Sequence, residues 1–352
     1  MNLYLAGIIF LIVVGIKFYG KEFNKEYLYK ENTTCINGIF LLFVFYRHIN
    51  TYMPHQESKD FMMMYMNTWL VQFIVTTFLF YSGYGVFESI KAKKKKYIDS
   101  IPKNRILKTL LHFAIIVLVY ALLNAILGSK NSIAEIIIAM TGWESIGNSN
   151  WYILGIILLY GSTYIAFSIF DKNNKKAVTL NWILVGIIII CLASFKGNNH
   201  SYYYDTLLCY PLGLTYSLLK EKIEKIMYDN KKYSMIFLVL TITLFALRRI
   251  INQNIFLYSL GSINFVLIII MITMKFRINN PIIKWLGNNL FYLYILQRIP
   301  MIIFRHLGYA STHAYRFVII CIVSTIMLTL IFKKIIEIID KIIFVSNKKK
   351  TT

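Results

Sequence analysis

The amino-acid sequence predicts an all-α, polytopic transmembrane helix bundle of about eleven spans. Of 352 residues, 57% are hydrophobic and only 15% charged, a membrane composition. Apolar runs of about 17 to 24 residues recur at short intervals, each long enough to cross a hydrocarbon core of roughly 30 Å as a helix. Basic residues gather in alternate loops between those runs.

The expected spans are 2–19, 34–52, 68–90, 106–128, 151–170, 178–195, 203–219, 233–250, 254–274, 282–304 and 315–335. Backbone amides cannot remain unpaired in lipid, so each run reads as helix. The first run has no basic residue ahead of it, carries Lys17 near its end and lacks a small-residue cleavage pattern, which reads as an uncleaved anchor. The expected organisation is an anchor helix and linker over 1–33, a membrane domain over 34–335 and a basic tail over 336–352.

Charge orients the bundle. Loops 20–33, 91–108, 171–177, 220–232 and 275–284, with the segment after 332, hold 28 of the 38 Lys and Arg residues. The positive-inside rule puts them in the cytoplasm, together with the carboxyl terminus, and leaves the amino terminus outside a multi-pass cell-membrane protein. Lys59, Lys130 and Lys196 then fall in outer loops, and Arg47, Arg248, Arg249, Arg298, Arg305 and Arg316 near outer helix ends. Such arginines either snorkel to headgroups or line a polar cavity opening outward.

The net charge of +22 does not indicate nucleic acid, because no separate basic domain with interleaved aromatics exists. Cys35, Cys191, Cys209 and Cys321 fall within expected spans without a Cys-x-x-Cys pair and read as small buried hydrophobes. No metal is expected.

The second span runs from Cys35 to His48. Eleven residues along a helix turn about 1100° and rise about 16 Å, so Asn37 and His48 share a face at different depths. An imidazole in the outer half of a membrane is costly unless it faces the bundle interior. It reads as a catalytic or proton-relay group, or as a satisfied structural histidine.

These residues resemble the acyltransferase 3 family of membrane O-acyltransferases, in which a basic residue and Gly are followed on the same helix by His. Gly38 and His48 match, and Asn37 replaces the basic residue. Phe80-Tyr81-Ser82-Gly83-Tyr84 is similar to the family's Phe-x-x-Ser-Gly-Phe/Tyr segment. Arg105 and Lys108, three apart on one helix face, stand where the family commonly has Arg-x-x-Arg; what the resemblance implies is that they, with Lys103 beside them, contact the phosphates of an acyl-coenzyme A donor. Lysines 93–96 beside them read as topogenic or lipid-binding. Ser149-Asn150-Trp151-Tyr152 is similar to the family's Trp-containing segment, although an interfacial aromatic belt accounts for Trp151 and Tyr152 equally well. Leu286-Gly287, Tyr292-Leu293, Gln297 and Pro300 resemble a further family segment.

What the resemblance implies is transfer of an acetyl group from cytosolic acetyl-coenzyme A to a hydroxyl of an envelope sugar, capsule or exopolysaccharide. His48 would deprotonate the hydroxyl or carry the acetyl group, with Asn37 as its partner lower on the helix. Trp151, Tyr152, Asp205, Gln297, Arg47 and Arg248 are the candidate acceptor contacts. Expected partners are the saccharide and membrane lipids, with no nucleic acid. A transporter or flippase for a lipid-linked saccharide would also be polytopic and lined by outward arginines. A polymerase would usually want a larger outer loop than 129–150.

Overall fold

A computed structural model describes residues 2–54, 61–70, 72–251 and 254–345. Lys59 and residues 346–352 of the basic tail lie outside them. In order, the elements are α1 (Asn2–Val13), β1 (Ile16–Phe18), α2 (Lys30–Asn50), α3 (Phe61–Leu70), α4 (Thr76–Lys93), α5 (Lys95–Ile98), α6 (Lys108–Ile126), α7 (Ile133–Met140), α8 (Trp151–Ile169) and α9 (Asn174–Lys196). Then come α10 (Cys209–Met227), α11 (Asn230–Arg248), α12 (Ile255–Lys275), β2 (Phe276–Ile278), α13 (Pro281–Asn288), α14 (Leu290–Leu296), α15 (Arg298–His306), α16 (Tyr309–Thr312) and α17 (Ala314–Asp340).

This is an all-α bundle, and helix occupies every expected span. Among the described residues, seven helical stretches are long and apolar enough to cross a membrane. The remaining expected spans are helical but different in kind: α1 is short, α2 and α10 carry charged residues, and 282–304 is broken into three helices. Polar helices are tolerable where neighbours shield them from lipid. Twelve residues of α2 are buried, and 78% of the α4 span is buried against 6% of α11, so α2, α4 and α10 form the interior and α11 an outer wall.

Long helices alternate in direction. One end of the bundle gathers the basic loops, joined by contacts such as Lys108 to Asp340 and Lys284 to Glu31. The other end is tied by Lys196 to Glu144 and Asn150 to Tyr203. We call these the basic end and the far end.

Four departures from the expected spans have local causes. The tenth run breaks at Asn289, whose backbone leaves helical geometry, and again at Gln297, because Pro300 offers no N–H and its ring opposes the carbonyl four residues back. The run before α6 is helical from Lys95 onward and includes a π-helical segment over Pro102–Leu107. The third span starts later than expected, with a 3-10 turn over Phe73–Val75 leading into α4. Loop 129–150 contains α7, started by a capping box between Ser132 and Glu135. Among the cysteines, Cys191 is exposed on α9, unlike the other three.

Two helix crossings are unusually close. A Cβ on Gly38 of α2 would collide with the Ile283 carbonyl of α13, and one on Gly287 would collide with the Thr34 carbonyl. Gly83 of α4 and Gly213 of α10 stand in the same reciprocal relation to Tyr210 and Phe80. Glycine lets the backbones touch.

The segment before α2 is woven into the basic end. Strand β1 pairs antiparallel with β2, placing Ile16 opposite Ile278 and Phe18 opposite Phe276. Lys275 is buried at this junction, where its ammonium donates to the carbonyls of Gly20 (3.1 Å) and Glu22 (2.9 Å) and to Asn230 Oδ1 (2.8 Å). It also lies 3.4 Å above the Phe23 ring.

Candidate active site

Helix α2 begins with Lys30 at the basic end, carries Asn37 two turns on and reaches His48 near the far end, so one rigid element spans the site. A cavity of about 720 Å³ opens at the basic end. Lys30, Glu88, Arg105 and Lys220 line it toward the basic loops, and Asn37, Ser82 and Tyr152 line it toward the core. Asn37 Oδ1 is buried there without a hydrogen-bond partner among the described residues. Lys30, Lys220 and Glu88 were not singled out by the sequence, because each belongs to a different helix and shows no local pattern. Glu88 accepts a 2.6 Å hydrogen bond from Ser217 and pairs with Lys91.

Arg105 is held in place at the wall of this cavity. Its Nε donates to the Tyr97 hydroxyl at 3.1 Å, and its guanidinium lies 6.0 Å from the Tyr97 ring centre and 5.8 Å from that of Tyr160. Tyr160 is in turn hydrogen-bonded to Ser82 at 3.0 Å. No carboxylate pairs with Arg105 among the described residues, which leaves donors for an anion.

Lys108 and Lys103 face elsewhere. The Lys108 ammonium is 2.6 Å from Asp340, which also meets His112 at 2.8 Å, and both lysines lie against the Phe344 ring. The expectation that Arg105 and Lys108 share a face is therefore corrected. It assumed α-helical turns, and the π segment rotates Arg105 away from the following helix.

His48 sits above the cavity behind two tyrosines. Its ring centre is 6.1 Å from that of Tyr294, and Tyr294 is 5.7 Å from Tyr152, the cavity residue. Its Nδ1 is buried and has no hydrogen-bond partner among the described residues. The Tyr294 hydroxyl faces Ser149. The positive charges of Arg298 and Arg47 act on the imidazole, and Arg298 donates to the Tyr52 hydroxyl at 3.1 Å.

A second cavity, about 580 Å³, lies at the far end and is lined by Arg47, Gln72, Tyr202, Asp205, Asn254 and Tyr258 among others. Asp205 is 2% exposed, and its Oδ1 has no hydrogen-bond partner among the described residues. Arg47 faces it without a direct ion pair, so both keep capacity for a ligand. Trp151 connects the two cavities through its neighbours, Tyr152 at 6.0 Å and Tyr202 at 6.2 Å between ring centres.

Two expected contacts lie outside this cavity. Arg248 stacks over Trp69 at 5.8 Å. Gln297 is buried, donates to the Tyr294 carbonyl at 2.8 Å and borders an apolar crevice with Tyr4 and Phe45. Gln297 thus lines that crevice and neither of the two larger cavities.

A family model described as an acyltransferase domain matches residues 34–333. The chain belongs to the acyltransferase 3 family. The match takes in Gly38 and His48 and ends inside α17, so both cavities lie largely within the family's domain, and the chain is a membrane acyltransferase by family. Neither the curated proteins nor the solved structures include a match to it.

Proposed function

We propose that this acyltransferase moves an acetyl group from acetyl-coenzyme A, entering at the basic end, to a hydroxyl of an envelope saccharide bound at the far end. The observation that carries the reading is the line from Arg105 through the basic cavity to Tyr152, then Tyr294 and His48, with Arg47 of the second cavity adjacent to His48 in sequence. A donor with a charged end and a slim thioester arm suits a cavity that is cationic at its mouth and aromatic at its depth. The far cavity combines tyrosine rings with amides, a carboxylate and a guanidinium, a set suited to a hydroxyl-rich ligand.

In this scheme Arg105 holds the donor phosphates. His48 takes the proton of the acceptor hydroxyl as its oxygen attacks the thioester carbonyl. The carbon–sulfur bond breaks, the coenzyme A thiolate takes up the proton, and an ester remains on the sugar. Thioester-to-ester exchange needs little thermodynamic drive, so positioning and proton transfer are the main tasks.

The basic end faces the cytoplasm and the amino terminus faces outward in this scheme. Cysteine labelling in intact cells checks that, and external labelling at position 94 would overturn it. The reaction is tested with purified protein by measuring coenzyme A release with and without a saccharide acceptor. Acceptor-dependent release with ester formation is expected, whereas saccharide movement without thioester cleavage would favour a transporter.

A further inference from the structure

A smaller cavity of about 430 Å³ adjoins the basic one, lined by Glu26, Tyr29, Lys30, Glu31, Asn32 and Arg277. The two share Tyr29 and Lys30, so a long ligand can occupy both. Its chemistry is unlike that of the inner arm. The Tyr29 ring is 58% exposed at the junction, an uncovered aromatic face next to a lysine.

Asn32 supplies the decisive sign. It is 3% exposed, its amide donates to the Tyr27 carbonyl at 2.8 Å, and its Oδ1 has no donor among the described residues. A buried acceptor left unmade costs stability, and a ligand N–H or O–H in the cavity it lines would satisfy it. Arg277 is fixed there by Glu26 at 2.6 Å and Glu31 at 3.6 Å. Glu31 is itself shared with Lys284 at 2.7 Å, and the Arg277 guanidinium has five donors, more than those two contacts use.

We propose that this side cavity binds the phosphorylated adenosine end of the coenzyme A donor, an inference that rests on the donor reading above. The adenine lies against Tyr29 and its amino group donates to Asn32 Oδ1. Arg277 meets the ribose phosphate, and Lys30 joins Arg105 and Lys220 on the diphosphate at the junction. The thioester arm then turns into the larger cavity toward Tyr152. Site and arm together explain why cations from α2, from the segment before α6 and from α10 converge on one mouth.

The test compares coenzyme A, its 3′-dephospho form and S-acetylpantetheine, which lacks the nucleotide, on full-length protein in nanodiscs. Tyr29→Ala and Lys30→Gln, both at exposed positions, should each weaken coenzyme A binding about tenfold while S-acetylpantetheine binding stays at the wild-type value. Arg277→Lys should narrow the difference between coenzyme A and the dephospho form. Unchanged coenzyme A affinity in both exposed variants, or equal losses for S-acetylpantetheine, overturns the site. A wild type that binds none of the three compounds overturns the donor reading and this site with it.

Discussion

The rings of Tyr152 and Tyr294 meet edge to face, their centres 5.7 Å apart and their planes at 67°, and they stand between the basic cavity and the His48 imidazole. A thioester arm reaching His48 must displace this pair, and water must pass it to reach the donor. Tyr294→Ala should open that passage: coenzyme A release without acceptor rises several-fold and acetylation of the saccharide falls. Tyr294→Phe keeps the ring and should leave the uncoupled release near wild type. Equal uncoupled rates in wild type and the Ala variant would remove the barrier role.

His48→Ala should lower acetyl transfer by at least about a hundred-fold while donor affinity and membrane insertion are retained, the scale of a lost general base. Transfer per mole of correctly inserted protein is the measurement. Activity within a few-fold of wild type would take His48 out of the chemistry. A stable acetyl group on His48 after incubation with donor alone would make it a carrier.

Arg105 and Lys108 should part company. Arg105→Ala is expected to weaken coenzyme A binding roughly ten- to hundred-fold, since charge-assisted contacts contribute about 1.5–3 kcal/mol. Lys108→Ala should leave donor affinity within about twofold and act on stability, because it removes a partner of Asp340. Titration calorimetry beside thermal unfolding separates the two.

Arg47→Ala and Asp205→Asn should raise the KM for the saccharide several-fold and leave coenzyme A binding unchanged, because both residues line the far cavity. A donor-affinity loss in either variant would place the acceptor elsewhere.

Gly38→Ala should destabilise the protein by about 1–3 kcal/mol, since the added methyl meets the Ile283 carbonyl and α2 must move off α13. Gly186→Ala, where a Cβ meets nothing within 4 Å, serves as the control and should be close to neutral. Unfolding temperatures in detergent read both.

The sequence made the spans legible because lipid demands long apolar helices, and His48 stood out because a titratable group is expensive in such a helix. Arg105 was legible from a motif, yet Lys108 was grouped with it through an assumption of regular α-helical turns that the π segment breaks. Tyr294 was hidden among apolar neighbours, and only its ring contacts with Tyr152 and His48 place it beside the site. Lys30, Lys220 and Arg277 carry no local signature, since their convergence is made by helices remote in the chain. The low hydropathy of α2 and α10 comes largely from charged ends that reach the surface at the basic end, Lys30 and Glu31 on one and Glu221, Lys222 and Lys225 on the other.

The ammonium of Lys275 takes its acceptors from Gly20 and Glu22, residues that precede the family's domain at 34–333, and β2 inside that domain pairs with β1 outside it. The cooperative folding unit is thus larger than the unit of homology. A version cut at residue 33 would strand a buried cation without its carbonyls and bare an unpaired strand edge. Grafts and chimaeras within the family that respect its boundary would inherit the chemistry while losing the buckle that fastens it.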